Sequence, residues 1–183
     1  MRAGKAMTWA VILAVAAGAW FLSSHLDQLH QEEEARANRL LPPEEIMAAR
    51  VLELKGLDYP EPLRLERGGQ GQEGWRLTRP LEYPADGLAV GRLLTGLSQA
   101  RISRRLVSPS PLADYGLEPP RLDITLTGPQ GQASRLLVGD LSPSGESVYL
   151  ARPGETEVLL APAALRASLA RGLKEALDRA GIS

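Results

Sequence analysis

Apolar and polar positions alternate along short segments that begin at residue 49. Within residues 49–56, Leu52 and Leu54 alternate with Val51 and Glu53, residues 61–68 alternate in the same way, and residues 75–80 supply a third segment. A two-residue period is typical of strands that bury one face. The glycine-rich stretch GGQGQEG separates the second segment from the third and predicts a hairpin turn. We therefore expect an antiparallel meander of three strands.

The period changes to that of a helix between residues 86 and 99. Apolar residues recur there at i, i+3, i+4 and i+7, and Asp86 is a favoured residue for capping the first turn. A second helical segment begins at Pro162, which suits a first helical position, and ends near Gly181. The apolar positions of the two segments are Val90, Leu93, Leu94 and Leu97, then Leu165, Leu169, Leu173 and Leu177. Both segments predict amphipathic helices.

Five further segments have the character of strands. Residues 101–107 follow the first helix, and four more segments precede the second, at 121–128, 133–140, 147–152 and 156–162. The order is β-β-β-α-β followed by β-β-β-β-α, and short hairpins imply mainly antiparallel pairing. The predicted fold class is therefore α+β, with a mainly antiparallel sheet and two amphipathic helices, preceded by one transmembrane helix.

That transmembrane helix is predicted from the uncharged, mostly apolar run at residues 6–22. Arg2 and Lys5 precede the run and three glutamates follow it, which places residues 1–5 in the cytoplasm and the rest of the chain outside. The run is slightly shorter than a full span, and Ser and Thr neighbours extend it. The alternative is a cleaved signal peptide, because Ala17-Gly18-Ala19 suits a cleavage site. Either interpretation puts the bulk of the chain outside the cytoplasm.

Residues 23–43 are predicted to form a juxtamembrane helical stalk and linker. An apolar seam through Leu26 and Leu29 fails at Glu33, which favours a solvated stalk over a dimerising zipper. Pro42-Pro43 ends the stalk, and the two glutamates that follow are compatible with a brief helical turn. The folded extracytoplasmic domain is therefore expected at residues 44–183.

Composition excludes several classes of function. The 183 residues carry a net charge of −1 and 4% aromatic residues, which gives little basis for binding nucleic acid. The chain has no cysteine, and its two histidines, His25 and His30, both lie in the predicted stalk. A Ser-His-Asp triad within the domain is therefore impossible, and a spacing of five residues does not suit a metal site. We expect no cofactor, no metal and no catalytic residue.

Two surface features remain as candidates for chemistry. The acidic residues considered for a carboxylate pair are Asp114, Asp123, Asp140, Glu146 and Glu157. Nothing in their spacing brings two of them together, so surface solvation is the simpler interpretation. Arg101, Arg104 and Arg105 form the basic cluster of the domain. It is interpreted either as a charged strand edge that keeps the protein soluble or as a docking patch for anionic lipid or an acidic partner.

The most individual stretch is SPLADYGLEPPRLDITL, at residues 110–126. Ser110 and Pro111 suit the start of one helical turn, and Gly116 suits the left-handed residue that ends it. Tyr115 and its leucine neighbours are expected to point inward, and the two prolines impose an extended approach to the next strand. We interpret the stretch as architecture rather than as a catalytic or ligand site.

Three quoted stretches resemble a known family. GWRLTRPLEYPADGLAVGRLLTGL, LADYGLEPPRLDITL and VGDLSPSGESVYLAR are similar to the domain of unknown function DUF4340, over residues 51–178. The resemblance implies a bacterial protein with an N-terminal membrane span, and some members look like auxiliary parts of ABC-type transport systems linked to gliding motility. The family has no established catalytic residues, and the chain has one copy of a unit that often occurs in longer proteins.

The expected function is that of a non-enzymatic interaction module on the bacterial inner (cytoplasmic) membrane, with the domain in the periplasm. The resemblance implies an integral-membrane partner such as ABC permease subunits, and Arg101, Arg104 and Arg105 are the expected docking residues. A lipid- or glycan-binding accessory protein is the alternative, and a carboxylate-dependent envelope hydrolase is a weaker one.

Overall fold

The computed structural model of the chain describes residues 20–21, 36–56, 59–68, 74–107 and 111–178. In this part of the chain no helix is long and apolar enough to span a membrane. The predicted span at 6–22 lies outside the described residues except for Trp20 and Phe21, and so do Ser110, both histidines and most of the stalk. Contacts separate the chain into one unit of residues 1–38 and a second, compact unit of residues 39–183.

The compact unit is α+β, as predicted. Its described helices are α1 (Pro43–Ala48), α2 (Gly87–Gln99) and α3 (Ala164–Asp178), with a 3-10 helix at Leu112–Tyr115. Its strands are β1 (Val51–Gly56), β2 (Tyr59–Arg67), β3 (Trp75–Arg79), β4 (Tyr83–Pro84), β5 (Arg104–Leu106), β6 (Leu122–Thr127), β7 (Ala133–Leu141), β8 (Ser147–Ala151) and β9 (Val158–Pro162). The brief turn expected after the linker is α1, and β4 was not predicted.

The described strands form one antiparallel sheet in the order β4-β3-β2-β1-β6-β7-β8-β9-β5. The expected meander is β1 to β3, and a second meander runs from β6 to β9. β1 pairs with β6 and joins the two. After α2 the chain reaches the far edge, where β5 pairs with β9, before it returns to β6.

One face of the sheet carries the main core, which α2 and α3 cover. The predicted apolar positions of α2 are all buried, and Leu165, Leu169 and Leu173 of α3 are buried with them. The sheet contributes Leu52, Leu54, Leu63, Leu65, Trp75, Leu77, Leu122, Ile124, Leu126, Leu136, Val138, Val148, Leu150, Leu159 and Ala161. Burial of this continuous apolar face is the main force that holds the helices on the sheet.

Two local expectations are corrected by the packing. Pro162 is the last residue of β9 rather than the first of a helix, and α3 begins at Ala164. Leu40 and Leu41 were assigned to the linker, yet they are 0% and 5% exposed and belong to the main core. The residues that precede α1 are therefore part of the packed structure. The predicted cap of α2 is confirmed, because the Asp86 side chain accepts a hydrogen bond from the Leu88 N–H at 2.9 Å.

Candidate interaction site

The basic cluster predicted from the sequence lies at and beside β5, the strand at one edge of the sheet. Arg105 lies opposite Leu159 of the main core, whereas Arg104 lies opposite Leu160. Because neighbouring strand residues point to opposite faces, Arg105 lies on the helix-covered side and Arg104 on the other. Arg105 Nη1 also pairs with Glu157 Oε2 at 3.2 Å. The structure therefore divides these two arginines between two surfaces.

Arg101, the third predicted residue, precedes β5 and forms an antiparallel bridge with Arg39. It is exposed, and it lines a shallow groove of about 290 Å³ together with Ala164 and Leu165 at the start of α3. Among the described residues neither Arg101 nor Arg104 has an acidic partner. We use the name β5 edge for Arg101, Arg104, Arg105 and the adjoining Arg39.

The residues that lead into the domain, Arg39 to Leu41, form an entry segment that is held by a contact not predicted from the sequence. Arg152, in the turn after β8, donates hydrogen bonds to the carbonyl oxygens of Arg39 and Leu40. A groove of about 630 Å³ surrounds this contact and includes Leu41 and Glu45 among its lining residues. The Ser134 hydroxyl donates to Glu45 in the same region. An arginine in a turn carries no periodic signal, so its role is visible only in the folded chain.

A larger groove of about 700 Å³ lies on the outer side of α2 and α3, and we call it the α2/α3 groove. Gly91 and Gly96 of α2 line it, and within the described residues an added Cβ at either position would meet no atom within 4 Å beyond its own stretch of helix. Leu88 at its border is 74% exposed. Arg92 and Glu175 form an ion pair across the two helices. The groove is an open, mixed apolar and charged surface rather than an enclosed ligand cavity.

Three of the five acidic residues considered for catalysis are engaged with arginines. Asp123 pairs with Arg135, Asp140 with Arg121, and Glu157 with Arg105. The hydrogen bond from Arg121 lowers the pKa of Asp140 below its ordinary value. The other two acids are Asp114, on the 3-10 helix, and Glu146, before β8. In the part of the chain that the structure describes, no three acidic or histidine side chains are grouped to hold a metal ion.

The part of the distinctive stretch that precedes β6, residues 111–120, forms a corner that packs on the face of the sheet opposite the main core. Gly116 ends the 3-10 helix with φ of 65°, as predicted, and Pro111 occupies the position before the helix. Leu117 is 2% exposed, and the Tyr115 ring meets the Tyr149 ring edge-on with centroids 4.8 Å apart. Instead of a simple extended approach, the Glu118–Pro119 peptide is cis. The corner closes a second, smaller cluster of apolar residues, which supports the architectural interpretation.

Comparison with known proteins identifies a family that the chain matches. Residues 75–182 match the model of a family described as Domain of unknown function (DUF4340). No curated protein and no solved structure matches the chain. The matched region begins at β3 and includes α2, the β5 edge, the corner and α3.

Proposed function

The chain belongs to the DUF4340 family, and on that premise we propose that it is a non-enzymatic, membrane-anchored interaction module of the bacterial cell envelope. The run at residues 6–22 is the proposed anchor, with the N-terminus in the cytoplasm and the domain in the periplasm. The proposed role is that of an accessory subunit in an ABC-type transport or envelope assembly. The proposed partner is an integral-membrane protein, such as ABC permease subunits.

The observation that carries this proposal is the presence of unpaired positive charge at the β5 edge. Arg121, Arg135 and Arg105 are each paired with an acid, but Arg101 and Arg104 have no acidic partner among the described residues and are exposed. An edge strand also has free backbone hydrogen-bonding groups that another protein can use. Positive charge beside such an edge favours a partner with a complementary acidic surface.

The proposed anchor contributes to this recognition. A domain tethered to a bilayer meets membrane partners at a high effective concentration, so a weak contact suffices for assembly. Membrane attachment is tested by washing membranes that hold the full-length protein with high salt and carbonate. We expect the protein to stay with the membranes, and recovery in the wash would contradict the anchor. An intact mass that corresponds to a mature chain beginning at Trp20 would also contradict it.

The docking role is tested by purifying the full-length protein in a mild detergent and identifying what accompanies it. We expect an integral-membrane protein to copurify. Arg104→Glu should reduce its recovery severalfold, because it reverses a charge that no described residue neutralises. Arg171→Glu on α3 is the matched control and should leave recovery unchanged. Purification of the protein alone under several detergents and crosslinkers would contradict the proposal, and a loss only with Arg171→Glu would move the contact to the α2/α3 groove.

The alternative function, a lipid- or glycan-binding accessory protein, is favoured by the α2/α3 groove. Its volume of about 700 Å³ falls in the range of small-molecule sites. Against this, the groove is lined in part by charged residues and lies outside the helices, while the space between α2 and the sheet is filled by core side chains. The test is binding of an envelope lipid or glycan to the wild type and to Gly91→Ala. Saturable binding to the wild type that is lost in Gly91→Ala would favour the alternative.

A further inference from the structure

Arg39 and Arg101 lie directly opposite each other in an antiparallel bridge. The N–H of Leu40 donates to the carbonyl oxygen of Ala100 at 3.5 Å, which is the pattern of a non-hydrogen-bonded pair. In such a pair the Cα atoms are about 4.5 Å apart and the side chains project from the same face at their closest spacing. The side chains of Arg39 and Arg101 therefore leave the backbone at adjacent positions on one face.

Like charges in such a pair repel each other and destabilise the sheet. A second pair of opposed arginines, Arg64 and Arg79, occurs between β2 and β3. There the charge of Arg64 is neutralised by Glu53 and Glu66, each at 2.6 Å. At Arg39 and Arg101 the described residues supply no such acid. The pair therefore has an excess of positive charge that the described chain does not neutralise.

The Arg39 side chain also has a buried donor, its Nε, for which the described residues supply no acceptor, although buried N–H groups are almost always paired. Arg101 is exposed and borders the shallow groove beside the start of α3. The pair thus combines unused donors and positive charge with an approach from solvent. Both deficits are removed by one ligand that carries negative charge and several acceptor oxygens.

We propose that Arg39 and Arg101 together bind a phosphate group, either in the headgroup of an anionic phospholipid or in a free phosphate compound. Each guanidinium presents a planar fork of donors. The tetrahedral oxygens of phosphate accept hydrogen bonds from two forks in different planes, whereas the lone pairs of a carboxylate all lie in one plane. The phospholipid source rests on the proposed membrane anchor, but the phosphate site itself does not.

The test uses the full-length protein in a neutral detergent, with thermal unfolding followed by tryptophan fluorescence. Inorganic phosphate is titrated at constant ionic strength, and in a second arm short-chain phosphatidylglycerol is compared with phosphatidylcholine. We expect a saturable rise in melting temperature with a phosphate ligand. Phosphatidylglycerol acting at the lower concentration would identify a lipid headgroup, and inorganic phosphate acting at the lower concentration would identify a free phosphate compound.

The variants separate a two-arginine site from general attraction. Arg39→Gln and Arg101→Gln should each weaken apparent affinity about tenfold or more, since each removes charge-assisted hydrogen bonds. Arg39→Lys should also weaken it, because lysine keeps the charge but not the fork. Arg104→Gln loses the same charge nearby and should bind normally. Without phosphate, Arg39→Gln and Arg101→Gln should melt no lower than the wild type, because repulsion is relieved.

Several outcomes would overturn the proposal. These are the absence of a saturable shift with either ligand, an equal loss of affinity in Arg104→Gln, or equal stabilisation by acetate, which would indicate a carboxylate site. If Arg39→Gln fails to fold, the exposed Arg101 variant carries the test. Failure of the phosphate site leaves partner capture and its dependence on Arg104 intact, so this result and a failure of the proposed function are distinguishable.

Discussion

The Arg152 side chain binds the backbone carbonyl group of Leu40. Its Nε and Nη2 donate to the Leu40 carbonyl oxygen at 3.1 and 2.8 Å, and Nη2 also donates to the Arg39 carbonyl oxygen at 3.1 Å. The guanidinium is balanced by Glu155 at 3.3 Å. One side chain thus ties the entry of the domain to the turn between β8 and β9.

Arg152→Ala should lower the free energy of unfolding by about 1–3 kcal/mol, because hydrogen bonds from a charged donor to partly buried carbonyl groups are lost. Urea unfolding of the full-length protein measures the loss. Hydrogen exchange at the Leu40 and Leu41 amides should accelerate locally as the entry segment loosens. Arg171→Ala, on the exposed side of α3, is the control. Unchanged exchange at both leucines would show that Arg152 does not hold the segment.

Gly116→Ala should be more destabilising than Gly145→Ala. Both glycines have positive φ, 65° and 73°, so both variants suffer the strain of a left-handed residue. An added Cβ at Gly116 would also lie 2.4 Å from an Asp140 carboxylate oxygen, whereas Gly145 has open space. We expect a loss of roughly 1–3 kcal/mol at Gly116 and about 1 kcal/mol at Gly145. Equal losses in denaturant unfolding would mean that Asp140 moves away freely.

The features that the sequence predicts correctly are local. Alternation identifies β1 because Leu52 and Leu54 face the core, and a period of two reports burial of one face wherever the strand lies in the sheet. The cap at Asp86 and the left-handed Gly116 are likewise properties of a few neighbouring residues. Backbone conformation at such positions depends on residue type, so it can be predicted without knowledge of the tertiary fold.

The features that were missed depend on long-range pairing. The pairing of β1 with β6 and the position of β5 at the far edge are set by how the helices cross the sheet, which alternation does not encode. Leu40 and Leu41 precede a proline and belong to no period, so their burial was not predicted. The opposition of Arg39 and Arg101 requires the bridge itself. The sequence therefore identified the basic cluster but not Arg39, which the bridge brings next to it.

The ion pair between Arg121 and Asp140 predicts an acid-dependent loss of stability. Hydrogen bonding to Arg121 lowers the pKa of Asp140 below its ordinary 3.8 in the folded chain. A carboxyl group of this kind stabilises the folded state above its unfolded pKa, and the contribution is lost as pH falls through its folded pKa. Stability should therefore decrease below about pH 4, and Asp140→Asn should make this decrease shallower.

Denaturant unfolding between about pH 2 and pH 5 brackets this titration. Other carboxyl groups titrate in the same range, so the informative quantity is the difference in slope between the wild type and Asp140→Asn. Arg121→Gln should raise the pKa of Asp140 toward its ordinary value in a carboxyl NMR titration, because it removes the hydrogen bond that lowers it. Identical slopes, or a pKa that Arg121→Gln leaves unchanged, would contradict the assignment.

Gly91 and Gly96 lower the stability of α2 without a packing reason within the described chain. Both lie inside the helix, and an added Cβ at either would meet no described atom within 4 Å outside the surrounding turns of α2. Because glycine in a helix interior costs about 0.5–1 kcal/mol relative to alanine, the double variant Gly91→Ala, Gly96→Ala should be more stable by roughly 1–2 kcal/mol. Gly172→Ala is the control, since its Cβ would come within 3.4 Å of Leu93 and should bring a smaller gain.

The same double variant tests whether the α2/α3 groove is a binding surface. The two methyl groups would fill part of the groove, so a ligand or partner that lies against bare backbone there should be excluded while the fold becomes more stable. Under our proposal that docking occurs at the β5 edge, the more stable variant should still recover its membrane partner in mild detergent. A protein that melts higher yet loses its partner would place the contact in the groove, because reduced stability then cannot explain the loss.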